Sequence, residues 1–187
     1  MSYAHVREDD NVPGPDDIYE VGCVARIHRL HEVKGKYQFI AQGVRRFRIK
    51  DWVRRQPPYV VRVEYFDPPR VEDESQVRAY AMSIINIIKE LMTLNPLYNE
   101  ELKQYLNYFN PNEPSPLADF AAAITSADAE ELQDILETLP LLERMEKVLL
   151  LIGKELEVAK LQAQITEQMK EQVNEHKWEF FVPQQLK

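Results

Sequence analysis

One cysteine, Cys23, stands in 187 residues, so no disulfide can close within the chain, as fits a reducing compartment. Five glycines leave little room for phosphate-cradling loops or strained catalytic turns. None of the patterns Gly-x-Gly-x-x-Gly, Gly-x-x-x-x-Gly-Lys-Ser/Thr or Gly-x-Ser-x-Gly occurs, so the mechanically interpretable phosphate and nucleophile motifs are missing. Serine is scarce as well: Ser75, Ser83, Ser115 and Ser126 fall at helix starts or on helix faces, with no Lys or His at catalytic spacing. No apolar run reaches the roughly 20 residues that span a bilayer, and residues 1–10 are too polar for a secretory signal. These absences weigh against an enzyme and against a membrane protein, and point to a soluble, cytosolic chain.

What is present is enough for a core: 44% of residues are hydrophobic and 29% charged, with a net charge of −8. The charge is uneven. Residues 1–70 carry a net +3 and residues 71–187 a net −11, which divides the chain into two regimes. In the first, turn formers over 11–17 lead into alternation: Cys23, Ala25 and Ile27 share one side and Arg26 and His28 the other, as a half-buried strand requires. Lys34-Gly35-Lys36 interrupts this pattern as a hairpin turn would. Tyr37, Phe39 and Ala41 resume the period of two, Gly43 breaks it, and 44–49 alternates again. After Pro57-Pro58, residues 59–66 are rich in Val and aromatics. Four strands in a small, mainly antiparallel sheet or barrel are predicted.

Past Pro68 the period becomes helical. Val77, Ala81, Ile84, Ile88 and Leu91 share one helical face. A second helix carries Leu102, Tyr105, Leu106 and Phe109. A third has Ser115 as N-cap, Pro116 at the first helical position, and the stripe Leu117, Phe120, Ala121, Ile124. A fourth begins near Ser126 or Asp128 and uses Leu132, Ile135, Leu136 and Leu139. From Pro140 to Pro183 there is no proline and only Gly153 among the glycines, in a stretch dominated by strong helix formers. At about 1.5 Å per residue this helix is roughly 60 Å long and projects from its own domain. Its seam runs through Leu142, Met145, Leu149, Ile152, Leu156, Ala159 and Ala163, then drifts to Leu161, Ile165, Met169 and Val173, a sign of changing partners along the helix.

Three groups invite a chemical reading. Cys23 and His28 are an odd number of residues apart, so one strand turns them to opposite sides, and with His31 they lack the further ligands of a metal centre; a small thiol and two surface histidines are the simpler account. Glu130-Glu131 suits a first helical turn better than acid-base chemistry. The cations Arg45, Arg46, Arg48, Lys50, Arg54 and Arg55, interleaved with Phe47 and Trp52, could form a nucleic-acid surface. Alternation divides them between two faces, however, and an ion-paired strand is the favoured reading.

Two strand motifs, Ile18-Tyr19-Glu20-Val21-Gly22-Cys23-Val24-Ala25-Arg26-Ile27 and Ala41-Gln42-Gly43-Val44-Arg45-Arg46-Phe47-Arg48-Ile49, resemble the N-terminal region of the ATP-dependent Lon protease family. The likeness continues through Glu155-Leu156-Glu157-Val158-Ala159-Lys160-Leu161-Gln162-Ala163-Gln164-Ile165 to Trp178-Glu179-Phe180-Phe181-Val182-Pro183-Gln184-Gln185-Leu186-Lys187. Cys23 stands where the family usually has Thr, and Pro183 where it is usually helical. The resemblance implies an α+β fold: a PUA-like β pseudo-barrel over residues 1–68, without its first strands, then a helical bundle over 69–139 and a long helix over 140–187.

It implies a non-catalytic module that recognises unfolded, damaged or degron-bearing protein and supports hexamer assembly with other subunits. No cofactor is expected in this chain, because ATP, Mg and a Ser-Lys peptidase belong to downstream modules. Substrate contacts are expected at Tyr37 and Phe39 and at Leu97 and Tyr98, contacts between subunits at Leu161, Ile165 and Met169, and the setting is cytoplasmic. The alternative is a nucleic-acid-binding PUA-like domain using Arg45 to Arg55.

Overall fold

The structure, a computed structural model, describes residues 14–69, 73–94 and 114–181. The helix expected over 102–109 and the candidates Leu97 and Tyr98 lie outside the described residues. The chain forms two compact units. One holds the strands together with Asp128–Pro140, and the other holds the remaining helices.

In the first unit, β1 (Val21–Val33), β2 (Lys36–Arg54) and β3 (Val60–Tyr65) form an antiparallel sheet in the order β1-β2-β3. Lys34 and Gly35 have φ of 53° and 75°, the pair of left-handed residues that a two-residue hairpin turn needs to match the strand twist. Three strands stand among the described residues where the sequence predicts four. Gly43 does not end a strand. It pairs with Ala25, while Val24 pairs with Arg45, so Val44 is an extra residue in a β-bulge and β2 continues through it. A Cβ at Gly43 would lie 3.2 Å from the Cys23 Sγ, so the glycine marks a close approach within the sheet. Further extra residues fall at His28 in β1 and at Lys50 and Val53 in β2.

The helix α3 (Ala129–Glu137) belongs to this sheet unit, whereas the sequence reading placed it in the bundle over 69–139. Periodicity shows which face a helix buries and is silent about what covers it. Asp128 caps α3: its carboxylate accepts the Glu131 N–H at 2.9 Å, and the Glu131 carboxylate accepts the Asp128 N–H at 3.4 Å, a reciprocal capping box. Gln133 Nε2 donates to the Val21 carbonyl at 3.0 Å, and Arg46 Nε donates to the Leu136 carbonyl at 3.1 Å. Among the described residues of this unit, Val21, Phe47 and Ile135 are the buried apolar ones.

In the second unit, α1 (Glu74–Leu94) buries Val77, Ala81, Ile84, Ile88 and Leu91, the stripe that its spacing predicts. The helix α2 (Pro114–Ala123) buries Leu117, Ala118, Ala121 and Ala122. It begins at Pro114, so Ser115 lies inside the first turn and is not the expected cap. The Ser115 hydroxyl accepts a hydrogen bond from Arg144 Nη2 at 2.6 Å, and Arg144 Nε lies 3.8 Å from Asp119. The helix α4 (Leu141–Phe181) has 41 residues, or about 60 Å of rise. It buries Leu141, Met145, Val148, Leu151, Ile152 and Leu156. The expected Leu142 and Leu149 are only half-buried, because α4 packs against both α1 and α2 and the covered face turns toward Leu141 and Val148. Lys160 Nζ meets Glu90 at 2.7 Å, joining α4 to the later turns of α1.

Candidate functional site

Among the described residues, the hairpin of β1 and β2 outruns its support. β3 pairs only with β2 residues from Phe47 to Arg54, and α3 holds the sheet at Val21 and Arg46. From Arg26 to Arg45 every residue is exposed, so this stretch is a two-stranded arm. Directly opposed residues share a face of an antiparallel pair. Ile27 opposes Ala41, Leu30 opposes Phe39 and Glu32 opposes Tyr37, which makes one face an apolar and aromatic stripe interrupted by Glu32. Arg26 opposes Gln42, Arg29 opposes Ile40, His31 opposes Gln38 and Val33 opposes Lys36, so the other face carries the cations. There His28 Nε2 and Gln42 Oε1 lie 2.8 Å apart.

Of the sequence candidates, Tyr37 and Phe39 both stand on the apolar face of the arm, Tyr37 at 65% exposure. Leu30, 60% exposed, and Ile27 share that face, and the sequence reading did not single out either as a contact residue. Leu30 is three residues from Ile27, out of phase for a plain strand; the bulge at His28 restores it to the same side. That phase slip is the signal in the sequence that marks them.

A second apolar surface lies on α4. From Glu157 to Val173 none of its residues is buried. Leu161, Ile165 and Met169 are 58%, 55% and 60% exposed, with Val158 and Val173 continuing the row at spacings of three and four. More than half of the surface of each of Leu161, Ile165 and Met169 is in solvent.

The basic cluster is tied down. Arg45 lies over the Tyr65 ring at 4.7 Å and donates to the Phe66 carbonyl. Arg46 caps α3 at Leu136, and Arg48 lies over the Phe66 ring at 5.4 Å. Lys50 pairs with Glu64 at 2.6 Å, Arg54 donates to the Pro57 carbonyl, and Arg55 reaches Asp16 at 4.0 Å. Lys50 holds the Glu64 carboxyl below the usual range, by its hydrogen bond first and its charge second. Lys50 and Arg55 thus meet carboxylates, as an ion-paired strand expects, while Arg45, Arg46, Arg48 and Arg54 lie against carbonyls and rings. Among the described residues no group of His, Cys, Asp and Glu could hold a metal ion, and no helix is long and apolar enough to cross a membrane.

The sheet-and-helix fold is the one found in Lon protease N-terminal domains. The solved N-terminal domain of the Mycobacterium avium complex Lon protease superposes with a TM-score of 0.56 at 21% identity, over 79% of this chain and 74% of that one. The chain belongs to the family of the ATP-dependent protease La (LON) substrate-binding domain, whose model matches residues 3–154. It is 44% identical over 180 residues to Lon protease 2 of Hydrogenovibrio crunogenus, covering 96% of this chain and 20% of that protein. It is 40% identical over 187 residues to the Lon protease of Magnetococcus marinus, covering 98% and 23%. The chain thus spans about a fifth of the length of these relatives, and the matched domain is a substrate-binding one rather than a catalytic one.

Proposed function

We propose that this chain is the part of an ATP-dependent Lon serine protease that takes hold of unfolded, damaged or degron-bearing protein in the cytoplasm. The observation that carries the reading is the apolar face of the arm, where Ile27, Leu30, Tyr37 and Phe39 share one side of the hairpin and are exposed. Unfolding exposes apolar side chains, and covering these with an apolar surface contributes about 25 cal/mol per Å² removed from water. An exposed apolar patch without catalytic groups suits capture rather than chemistry. Leu97 and Tyr98 are a second contact in this proposal. ATP, Mg and the peptidase nucleophile are supplied by other modules of the protease, and Leu161, Ile165 and Met169 join subunits of a hexamer.

The test is site-specific photocrosslinking of the 187-residue chain to casein. Probes at Tyr37 and Phe39 are expected to crosslink strongly, and a probe at Leu150, an exposed apolar position on α4 at 66% exposure, weakly. Equal yields at the three positions would remove the arm from the function. Sedimentation of the same chain with Leu161→Asp and Ile165→Asp checks the subunit contact: the reading expects self-association in the parent chain and its loss in the double variant.

A further inference from the structure

The chain leaves the helical unit for the sheet unit after Ala127 and comes back after Pro140, and different chemistry holds the two passages. On the return, the Thr138 N–H and hydroxyl both donate to the Asp134 carbonyl, at 3.1 and 2.7 Å. Pro140 then stands directly before Leu141, the first residue of α4; its ring fixes its own φ and restricts Leu139 as well. That passage is stiff by covalent structure. On the way out, α2 ends at Ala123 and Asp128 caps α3. Ile124 and Thr125 still bond back to Phe120 and Ala122. Ser126 is held from a distant part of the same unit: its N–H and its hydroxyl both donate to Glu155 Oε2, at 3.0 and 2.6 Å. Glu155 belongs to α4, is half-buried and directly precedes the buried Leu156, whereas Ser126 is exposed. Hydrogen bonds to an ionised acceptor are stronger than neutral ones, yet they can be undone without cutting or rebuilding the chain.

We infer that Ser126 and Glu155 form a latch that sets how much chain is free at the outward passage, and that negative charge on Ser126 opens it. Closed, the latch leaves Ala127 alone between two anchored neighbours, Ser126 and the Asp128 cap. Open, Ser126 and Ala127 both turn freely, and Ile124 and Thr125 keep only the bonds of a fraying helix end. The switch is one of sign. An ionised carboxylate accepts and cannot donate, so Glu155 holds a hydroxyl and an N–H but repels a second anion. A phosphoryl group on the exposed Ser126 hydroxyl is a modification of that kind, because it removes the donor proton and adds about −1.5 to −2 charges. It comes from a nucleoside triphosphate on a protein kinase: the Oγ–P bond forms, the bond from that phosphorus to the departing diphosphate breaks, and the hydroxyl proton passes to the kinase's base. Asp128, Glu130 and Glu131 follow closely in the chain and add to the repulsion. The latch works the same way whatever the arm binds.

The experiment is backbone amide hydrogen exchange of the 187-residue chain, read residue by residue by NMR. In the parent chain the Ser126 amide is expected to be protected. In Ser126→Asp, and in the chain synthesised with phosphoserine at 126, the amides of 126–128 are expected to exchange about tenfold faster, as the loss of a hydrogen bond to a charged acceptor requires. The amides of α1 and of the packed turns of α4 are expected to keep the parent's rates. Glu155→Ala is expected to give the same local acceleration, and adding Ser126→Asp to it no further change, since the partner is already gone. Ser126→Asp combined with Glu155→Lys, a reversed pair, is expected to bring protection back, which separates the effect of charge from damage to the loop. Unchanged exchange in Ser126→Asp overturns the proposal, and so does acceleration that Glu155→Lys fails to reverse. Acceleration that spreads through α2 and α4 overturns it too, because that reports a loss of fold rather than the release of a latch.

Discussion

The hairpin arm and the far part of α4 are alike in one respect and opposite in another. Each starts inside a packed unit and continues past its last buried residue with apolar side chains in solvent. The hairpin does so beyond Val21 and Phe47, and the helix beyond Leu156. The helix shows a single row of residues three and four apart, wide enough for another helix to lie along it. The arm shows two faces of different chemistry, one apolar and aromatic and the other carrying cations, each built from two strands. Exposure alone says only that a surface is available; its width and the chemistry of its reverse side say what fits it.

The comparison breaks if the exposed rows turn out to hold their units together. The largest effect is expected at the packed root of α4. Ile152 is fully buried, and Ile152→Ala should cost about 2–5 kcal/mol in urea unfolding, whereas Leu161→Ala and Leu30→Ala should each change stability by under about 0.5 kcal/mol. Comparable losses at all three positions would mean that the rows are structural.

A smaller effect is expected where the arm is anchored. Gly22 lies directly across from Phe47, and a Cβ there would stand 2.8 Å from Phe47 Cζ. Phe47 is buried, so its ring has little room to yield, and Gly22→Ala should cost about 1–3 kcal/mol by thermal melting. Restoration of stability in Gly22→Ala combined with Phe47→Leu would locate the strain in that contact.

The smallest effect belongs to the surface pair Lys50–Glu64. Its folded carboxyl titrates below the ordinary value. The pair therefore adds stability above the unfolded carboxylate pKa and loses it as pH falls through the lower folded value. Both groups are exposed, so salt should largely erase the effect. An NMR titration of Glu64 in Lys50→Gln should show the pKa moving back up.

The helices were the most legible part of the sequence. The five positions of α1 step by four, three, four and three, and all five are buried, because regular helical spacing leaves little freedom about which face turns inward. The hairpin turn was legible for a similar local reason: Lys34-Gly35 sits between two alternating runs. What was not legible depended on a single inserted residue or on a distant partner. Val44 as a bulge turns an expected strand break at Gly43 into continuous pairing. The turn of α4 from Leu142 and Leu149 toward Leu141 and Val148 follows from packing against two helices. At the candidate site Tyr37 and Phe39 could be named from alternation, while Leu30 needed the bulge at His28, and the division into an apolar and a basic face needed the register.

The return of the chain to the sheet unit in α3 sets an order of events during synthesis. The strands end at Tyr65, yet Ile135, Gln133 and the carbonyl of Leu136 that complete their base are encoded some seventy residues later. A growing polypeptide that emerges from the ribosome N-terminus first must therefore make α1 and α2 before the strands receive their last buried side chain. Until then Phe47 and Val21 remain uncovered on that side. Cutting the chain once, at any of its three passages between the two units, would not release either one as a continuous piece.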